Sequence, residues 1–401
     1  MKNIRKFETT AEMESAVLTE PYVLYNEETG LVKTNPNSGS SDNEVDYSTE
    51  YLTLEALEDG TFSFTKNGTG DDIQYSKDNG ATWTSLASGE NVSVVTGDKV
   101  MWKSNIAPEY YNGIGRFSSS NKFKVSGNIM SLLYGDEFNG QTSLESKDYV
   151  FCRLFENCSF LIDASNLILP AKTLASACYC CMFQNCPSLT TAPELPATTL
   201  ADYCYQNMFT KCRSLTTAPE LPATTLNLYC YQYMFSGCTS LTTAPELPAT
   251  TLTAYCYNKM FSECTSLTTA PELPATTLAD WCYQYMFSSC TSLTTAPELP
   301  ATTLTHSCYE NMFNGCTSLT TAPELPATTL YNCCYENMFN GCTNLSKITM
   351  LATDISASYC LNYWVYNVSS TGTFVKHPDM TTLRSGTSGI PNGWVVKDAV
   401  L

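Results

Sequence analysis

Histidine is nearly absent from this 401-residue sequence, with only His306 and His377. Two such isolated residues leave little room for acid–base, triad or histidine-metal chemistry. Basic residues are also scarce, 21 Lys plus Arg against 39 Asp plus Glu, for a net charge of -18. A surface this acidic has no general affinity for phosphate backbones or anionic lipid, so no nucleic-acid binding is expected. No run of about 18 apolar residues occurs, and the basic opening has no apolar stretch behind it, so neither membrane insertion nor an export signal is expected. Phosphate loops, dinucleotide fingerprints and serine elbows are missing too, so the sequence points to no enzyme and no cofactor.

Cysteine is missing before Cys152 and abundant after it, 20 in all. All but Cys152, Cys180, Cys181 and Cys333 fall on two ladders. One runs from Cys178 through Cys204, Cys230, Cys256, Cys282, Cys308 and Cys334 to Cys360. The other runs from Cys186 through Cys212, Cys238, Cys264, Cys290 and Cys316 to Cys342, with Cys158 slightly out of phase. A cysteine recurring once per unit reads as a small buried core residue carrying a free thiol. Adjacent cysteines such as Cys180 and Cys181 suit disulfide geometry badly, and no paired Cys-x-x-Cys pattern suggests zinc.

The ladders belong to a repeat. The block Ser-Leu-Thr-Thr-Ala-Pro-Glu-Leu-Pro-Ala-Thr-Thr-Leu recurs unchanged from Ser188, Ser214, Ser240, Ser266, Ser292 and Ser318. It alternates with a variable block of pattern x-x-x-Cys-Tyr-x-x-Met-Phe-x-x-Cys-x, with degenerate copies at both ends. Units of this kind bury their apolar faces by stacking on one another. Leu200, Cys204, Met208 and Cys212 recur every four residues, which predicts a short helix. Ser214 to Ala218 predicts a short strand, ended by Pro219 and Pro222, which lack the donor that a ladder needs. The expected fold is an α+β repeat solenoid of 26-residue units, each with one short helix and one short strand.

The run Met-Phe-Ser-Gly-Cys-Thr-Ser-Leu-Thr-Thr at Met234 to Thr243, followed by Leu247 and Pro248, resembles the BspA-like (Treponema pallidum-type) leucine-rich repeat. The resemblance spans about Val150 to Trp364. It implies a surface or secreted protein of the adhesion type. Similar arrays occur in proteins of phages that infect gut bacteria.

Composition divides the chain into an N-terminal arm and linker (1–48), a β-sandwich-like domain (49–135), the solenoid (136–366) and a C-terminal cap (367–401). In the second part, strands are predicted at Tyr51 to Leu57, Thr61 to Thr65, Ile73 to Ser76, Thr82 to Leu86, Val92 to Val95, Lys99 to Lys103 and Lys122 to Val125. Ser76 to Trp83 resembles the Asp-box hairpin, a turn in which Asp78 binds nearby backbone and Asn79-Gly80 adopts positive φ.

Two surface stripes are candidates for binding. Tyr203, Tyr229, Tyr255 and Trp281 precede the ladder cysteine in successive units, with Tyr233 and Tyr285 nearby. Such a row either stacks on sugar rings and partner side chains or covers the seams between coils. Glu194, Glu220, Glu246, Glu272, Glu298 and Glu324 form an acidic stripe, read as a solvated face, with Ca2+ bridging as the alternative. Adjacent threonines point to opposite sides of an extended chain, which argues against an ice-binding array. The favoured reading is a non-enzymatic virion fibre or tail protein. Its arm would dock on virion proteins, its solenoid would take a host receptor or glycan, and it would form a homo-oligomer. A bacterial cell-surface adhesin is the alternative.

Overall fold

A computed structural model describes residues 49–400 and, further upstream, the backbone of three strands. These strands are β1 (Asn3–Phe7), β2 (Tyr22–Asn26) and β3 (Val32–Asn35). β1 runs parallel to β2 and β2 antiparallel to β3, within a compact unit of residues 1–46. The rest of the arm assigned to residues 1–48 lies outside the described residues. A second unit takes in residues 47–401.

The second unit opens with two facing sheets. One holds β5 (Gly60–Lys66), β8 (Asn91–Val94) and β10 (Gly115–Ser119) in the order β10-β5-β8. The other includes β4 (Leu52–Ala56), β6 (Ile73–Ser76), β7 (Thr84–Leu86), β9 (Lys99–Lys103) and β11 (Phe123–Asn128). Alternation turns Phe62 and Phe64 of β5, and Val100 and Trp102 of β9, inward. Phe62 meets Phe123 at 5.5 Å, and Phe117 meets Phe64 at 4.9 Å and Trp102 at 5.2 Å. The sequence does not signal β10, whose Gly-Arg-Phe-Ser-Ser carries one large apolar side chain.

A short helix, α1 (Ser131–Tyr134), follows this sandwich. β12 (Leu161–Ile168) then pairs in parallel with β11, so the six-stranded sheet, ordered β12-β11-β4-β9-β6-β7, takes in the first strand of the repeats. Phe155 stacks on Phe117 at 5.4 Å. One buried apolar cluster therefore runs from Leu52 to Trp394.

The helix expected in each unit is not there, and this corrects the α+β assignment. Between Ala201 and Cys212 the chain forms a run of turns in which the backbone donors divide into two sets. The amides of Cys204, Gln206, Met208, Thr210 and Cys212 bond three residues back. Those of Tyr203, Tyr205, Asn207, Phe209 and Lys211 bond forward to carbonyls of the next coil, at Leu228, Cys230, Gln232, Met234 and Ser236. Tyr203, Asn207 and Lys211 have φ of 58°, 56° and 61°, and the pattern recurs in the coils that follow. A left-handed residue at every fourth position cannot continue an α-helix, and it turns alternate N–H groups toward the neighbouring coil. Backbone bonding that a helix would keep within itself thus becomes coil-to-coil stacking.

The opposite edge of each coil carries almost no strand. In the identical units pairing there reduces to single bridges, Thr217 to Thr243, Thr243 to Thr269 and Thr269 to Thr295, because proline follows two residues later. A parallel sheet appears at the C-terminal end, from β13 (Thr321–Leu325) through β14 (Lys347–Met350) and β15 (Thr373–Lys376) to β16 (Val395–Asp398). The register between β13 and β14 slips between Thr321 and Glu324, where β13 carries Ala322-Pro323. Trp364 donates its indole N–H to Gly389 O at 2.9 Å, and Trp394 to Ser369 O at 2.7 Å, tying the last segment over the final coil.

Candidate binding surface

The turn run positions the aromatic row. Tyr203, Tyr229, Tyr255 and Trp281 all adopt φ between 56° and 58°, half-buried at equivalent points of successive coils. Their rings lie nearly parallel, 4.7, 4.5 and 4.7 Å apart between centroids. Stacked this tightly, the rings cover one another's faces and seal the seams between coils, leaving their edges to solvent. His306 closes one end, edge-on to Trp281 at 4.9 Å. The row therefore offers no open succession of faces on which sugar rings could stack.

Four residues along the chain lies a second column. Tyr233 and Tyr285 do not join the first row. Lys259 sits between them, its Nζ 5.1 Å from the Tyr233 ring and 4.7 Å from the Tyr285 ring. A cation held between two rings gains about 1 kcal/mol or more at a partly exposed site. Between the two columns runs an amide ladder that the sequence reading missed. Nε2 of Gln206 donates to Gln232 Oε1 at 2.6 Å, Gln232 to Asn258 Oδ1 at 3.0 Å, Asn258 to Gln284 Oε1 at 2.8 Å, and Gln284 to Glu310 Oε2 at 2.9 Å. The residue after each Cys-Tyr pair is Gln, Asn or Glu in all these units, which is the signal that marks it in the sequence.

Glu194, Glu220, Glu246, Glu272, Glu298 and Glu324 are all exposed, one per coil, on the opposite edge. Prolines flank them. Pro193, Glu194, Leu195 and Pro196 with Pro219, Glu220 and Pro222 line an open groove of about 400 Å³, and Glu246 and Glu272 line a similar one of about 320 Å³. Among the described residues, no group of three or more His, Cys, Asp or Glu side chains is set to hold a metal ion.

All twenty cysteines are free thiols, and both ladders are buried. The second ladder also does more than fill space. Cys212 Sγ donates to Phe183 O at 3.1 Å, Cys238 to Phe209 O at 3.1 Å and Cys264 to Phe235 O at 3.2 Å, each reaching the preceding coil. Burial pushes the Cys212 and Cys290 thiols up to about 12, so they stay protonated and unreactive at neutral pH.

The Asp-box segment is a structural turn. Asp78 accepts from Thr82 N at 2.9 Å, Thr82 Oγ1 at 2.6 Å and Ser76 Oγ at 2.7 Å, while Asn79 and Gly80 take φ of 56° and 84°. Hydrogen bonds from Thr82 and Ser76 hold its carboxyl down to about 2. Trp83 lies under the Nζ of Lys103, 4.2 Å from the ring centroid. No described helix is long and apolar enough to cross a membrane.

Comparison with curated proteins and with solved structures returned no significant match for the chain. The family model described as BspA type Leucine rich repeat region matches six copies, over residues 145–268, 202–329 and 258–376. Repeats of this type generally serve as surface or binding scaffolds without catalytic function. With matched residues covering more than half of its length and every matched coil stacked on the next, the chain belongs to the BspA-type leucine-rich repeat family.

Proposed function

We propose that this is a non-enzymatic binding protein whose turn-run face meets a partner. One observation carries the reading: the six units that share the identical block differ from one another only on that face. The Thr-Pro-Glu block is identical in six units, whereas Asp202, Tyr203, Asn207 and Lys211 and their counterparts vary from coil to coil. A strip of identical residues suits stacking and solvation, and a varied strip can form a unique contact surface. Lys259 with Tyr233 and Tyr285 would be its anchor, since aromatic and cationic side chains held in place dominate interface energies. Loss of binding in Tyr233→Ser and Lys259→Ser, with Glu246→Gln unchanged, is the expected pattern. Equal loss in all three would point to the acidic edge or to misfolding.

The setting we favour is a phage virion fibre or tail protein, with residues 1–48 docking on virion proteins, the solenoid directed at a host receptor or glycan, and the chain assembled as a homo-oligomer. Two features support it: buried, reduced thiol ladders suit a chain folded in a reducing compartment, and the acidic surface suits a soluble assembly. Peptide mass spectrometry on purified virions and on washed membranes of the same lysate tests the proposal. A fixed ratio to coat protein is expected. Enrichment with membranes would replace the fibre with a bacterial cell-surface adhesin.

A further inference from the structure

Three of the cysteines that stand off the ladders meet in one place. The backbone bonds from Arg153 N to Cys180 O and from Cys181 N to Gln206 O put Cys152, Cys180 and Gln206 in one column of successive coils, with Arg153 and Cys181 in the next. Thiols thus occupy the first two places of the amide ladder. Cys180 Sγ lies 3.4 Å from Cys181 Sγ and 3.5 Å from Gln206 Oε1, and Cys152, whose thiol donates to Tyr111 O at 3.6 Å, stands one coil before it in the same column. With Ala177 they form a small cluster apart from the main core, against Tyr149 and Tyr203. Cys180 and Cys181 are 8% and 6% exposed, where the ladder cysteines of the identical units are at 0%.

The cluster has a cation beside it. Arg153 Nε is buried without a hydrogen-bond partner, and Glu156, which offsets part of the Arg153 charge, is also paired with Arg116 at 2.7 Å. The hydrogen bond from Cys180 and the charge of Arg153 draw the Cys181 thiol below its ordinary range, while its contacts with Cys152 and Cys181 drive the Cys180 thiol upward. Of this adjacent pair, Cys181 is therefore the sulfur that ionises first.

We propose that Cys152, Cys180 and Cys181 form a thiol–disulfide exchange site, entered at Cys181 and ending in a Cys152–Cys180 disulfide that ties the first two coils together. The Cys181 thiolate attacks a small-molecule disulfide RSSR, its S–S bond breaks, and RS⁻ leaves and takes the proton of Cys180. Cys180 then attacks Cys181 Sγ and expels the second RS⁻, which takes the proton of Cys152. Cys152 attacks Cys180 Sγ and returns Cys181 as the thiolate. In sum, two protein thiols and one RSSR become one protein disulfide and two RSH. The end point follows from spacing. Coils stacked at about 4.8 Å place matching Cα atoms inside the roughly 4.4–6.8 Å range of ordinary disulfides, whereas neighbours in sequence stand about 3.8 Å apart. The adjacent pair is thus the intermediate, and the pair in adjacent coils is the product.

The test is tryptic mapping of the reduced full chain after exposure to glutathione disulfide in native buffer. Peptide 148–153 joined to peptide 173–211 through Cys152 and Cys180, and released by reductant, is the expected product. In Cys181→Ser the same link should form about tenfold more slowly. Glutathione retained on Cys181 with no link, a terminal Cys180–Cys181 bond, or three unmodified thiols in the unsubstituted chain would each overturn the proposal. Because the decisive readout is on the unsubstituted chain, a variant that folds poorly does not obscure it.

Discussion

At the scale of single residues, a thiol in the second ladder has two tasks, filling a core position and donating to a carbonyl of the preceding coil. Cys238→Ala removes both, leaving Phe209 O one donor poorer and a small void beside it. The expected loss is about 1–2 kcal/mol, with Cys238→Ser losing less, read from denaturation midpoints. An unchanged midpoint in the alanine variant would reduce the ladder to mere filling. Asp78 gives a pH-dependent counterpart. Its carboxyl ionises at about 2 in the folded chain against 3.8 ordinarily. A depressed folded value means stabilisation that is complete above about pH 4 and disappears as pH falls toward 2. Asp78→Asn should therefore lower the melting temperature at pH 7 and make little difference near pH 2. The spacing of the aromatic row was legible in the sequence, but its orientation was not. Whether recurring rings face solvent or each other depends on the backbone angle at each position, and Tyr203 and Trp281 adopt one that their residue types rarely take.

At the scale of the element, the turn run shows why a helix was expected and why it fails. Four-residue spacing of Leu200, Cys204, Met208 and Cys212 imitates a helical stripe over one or two steps. An α-helix advances about 400° in four residues, so a strict period of four drifts by about 40° at each step. The residues marking this difference are Asn207 and Gly237, both suited to left-handed φ, whereas Tyr203 and Trp281 in equivalent conformations conceal it. The column of Lys211, Gly237, Glu263, Ser289, Gly315 and Gly341 provides a direct test, since all six have φ between 61° and 77°. A Cβ on Gly341 would meet nothing closer than 3.5 Å, so space does not limit the site. Gly341→Val should still lose about 1–2 kcal/mol through its backbone alone. Ser289→Gly, which relieves the same strain at the price of a more flexible unfolded chain, should be neutral or slightly stabilising. Equal effects for the two would mean that left-handed φ does not govern the turn run.

At the scale of the molecule, the repeat, its approximate extent and most strands of the sandwich were legible because each rests on local periodicity. The joining of sandwich to solenoid was not, because β11 and β12 lie more than 30 residues apart and nothing local pairs them. One core through all the coils makes their titration a collective property. Burial drives Cys178, Cys256 and Cys308 up to about 12 from an ordinary 9.0, and Tyr205, Tyr231 and Tyr283 well above 10.0. Groups with raised folded values release protons first from the unfolded chain. Their contribution is therefore complete below about pH 9 and is lost as pH climbs toward 12. Each coil repeats the same pair of thiol and phenol, and each coil is held by its neighbours. The melting temperature should stay level to about pH 9 and then fall steeply and cooperatively, with the part of the phenolate absorbance that belongs to the buried column, Tyr179 to Tyr335, appearing in step with the loss of far-ultraviolet signal, apart from that of exposed rings such as Tyr110 and Tyr359. Ionisation of the full tyrosine complement while the fold persisted would mean that the tyrosine column is open to solvent, and the sealed core inferred from the stacked coils would fail.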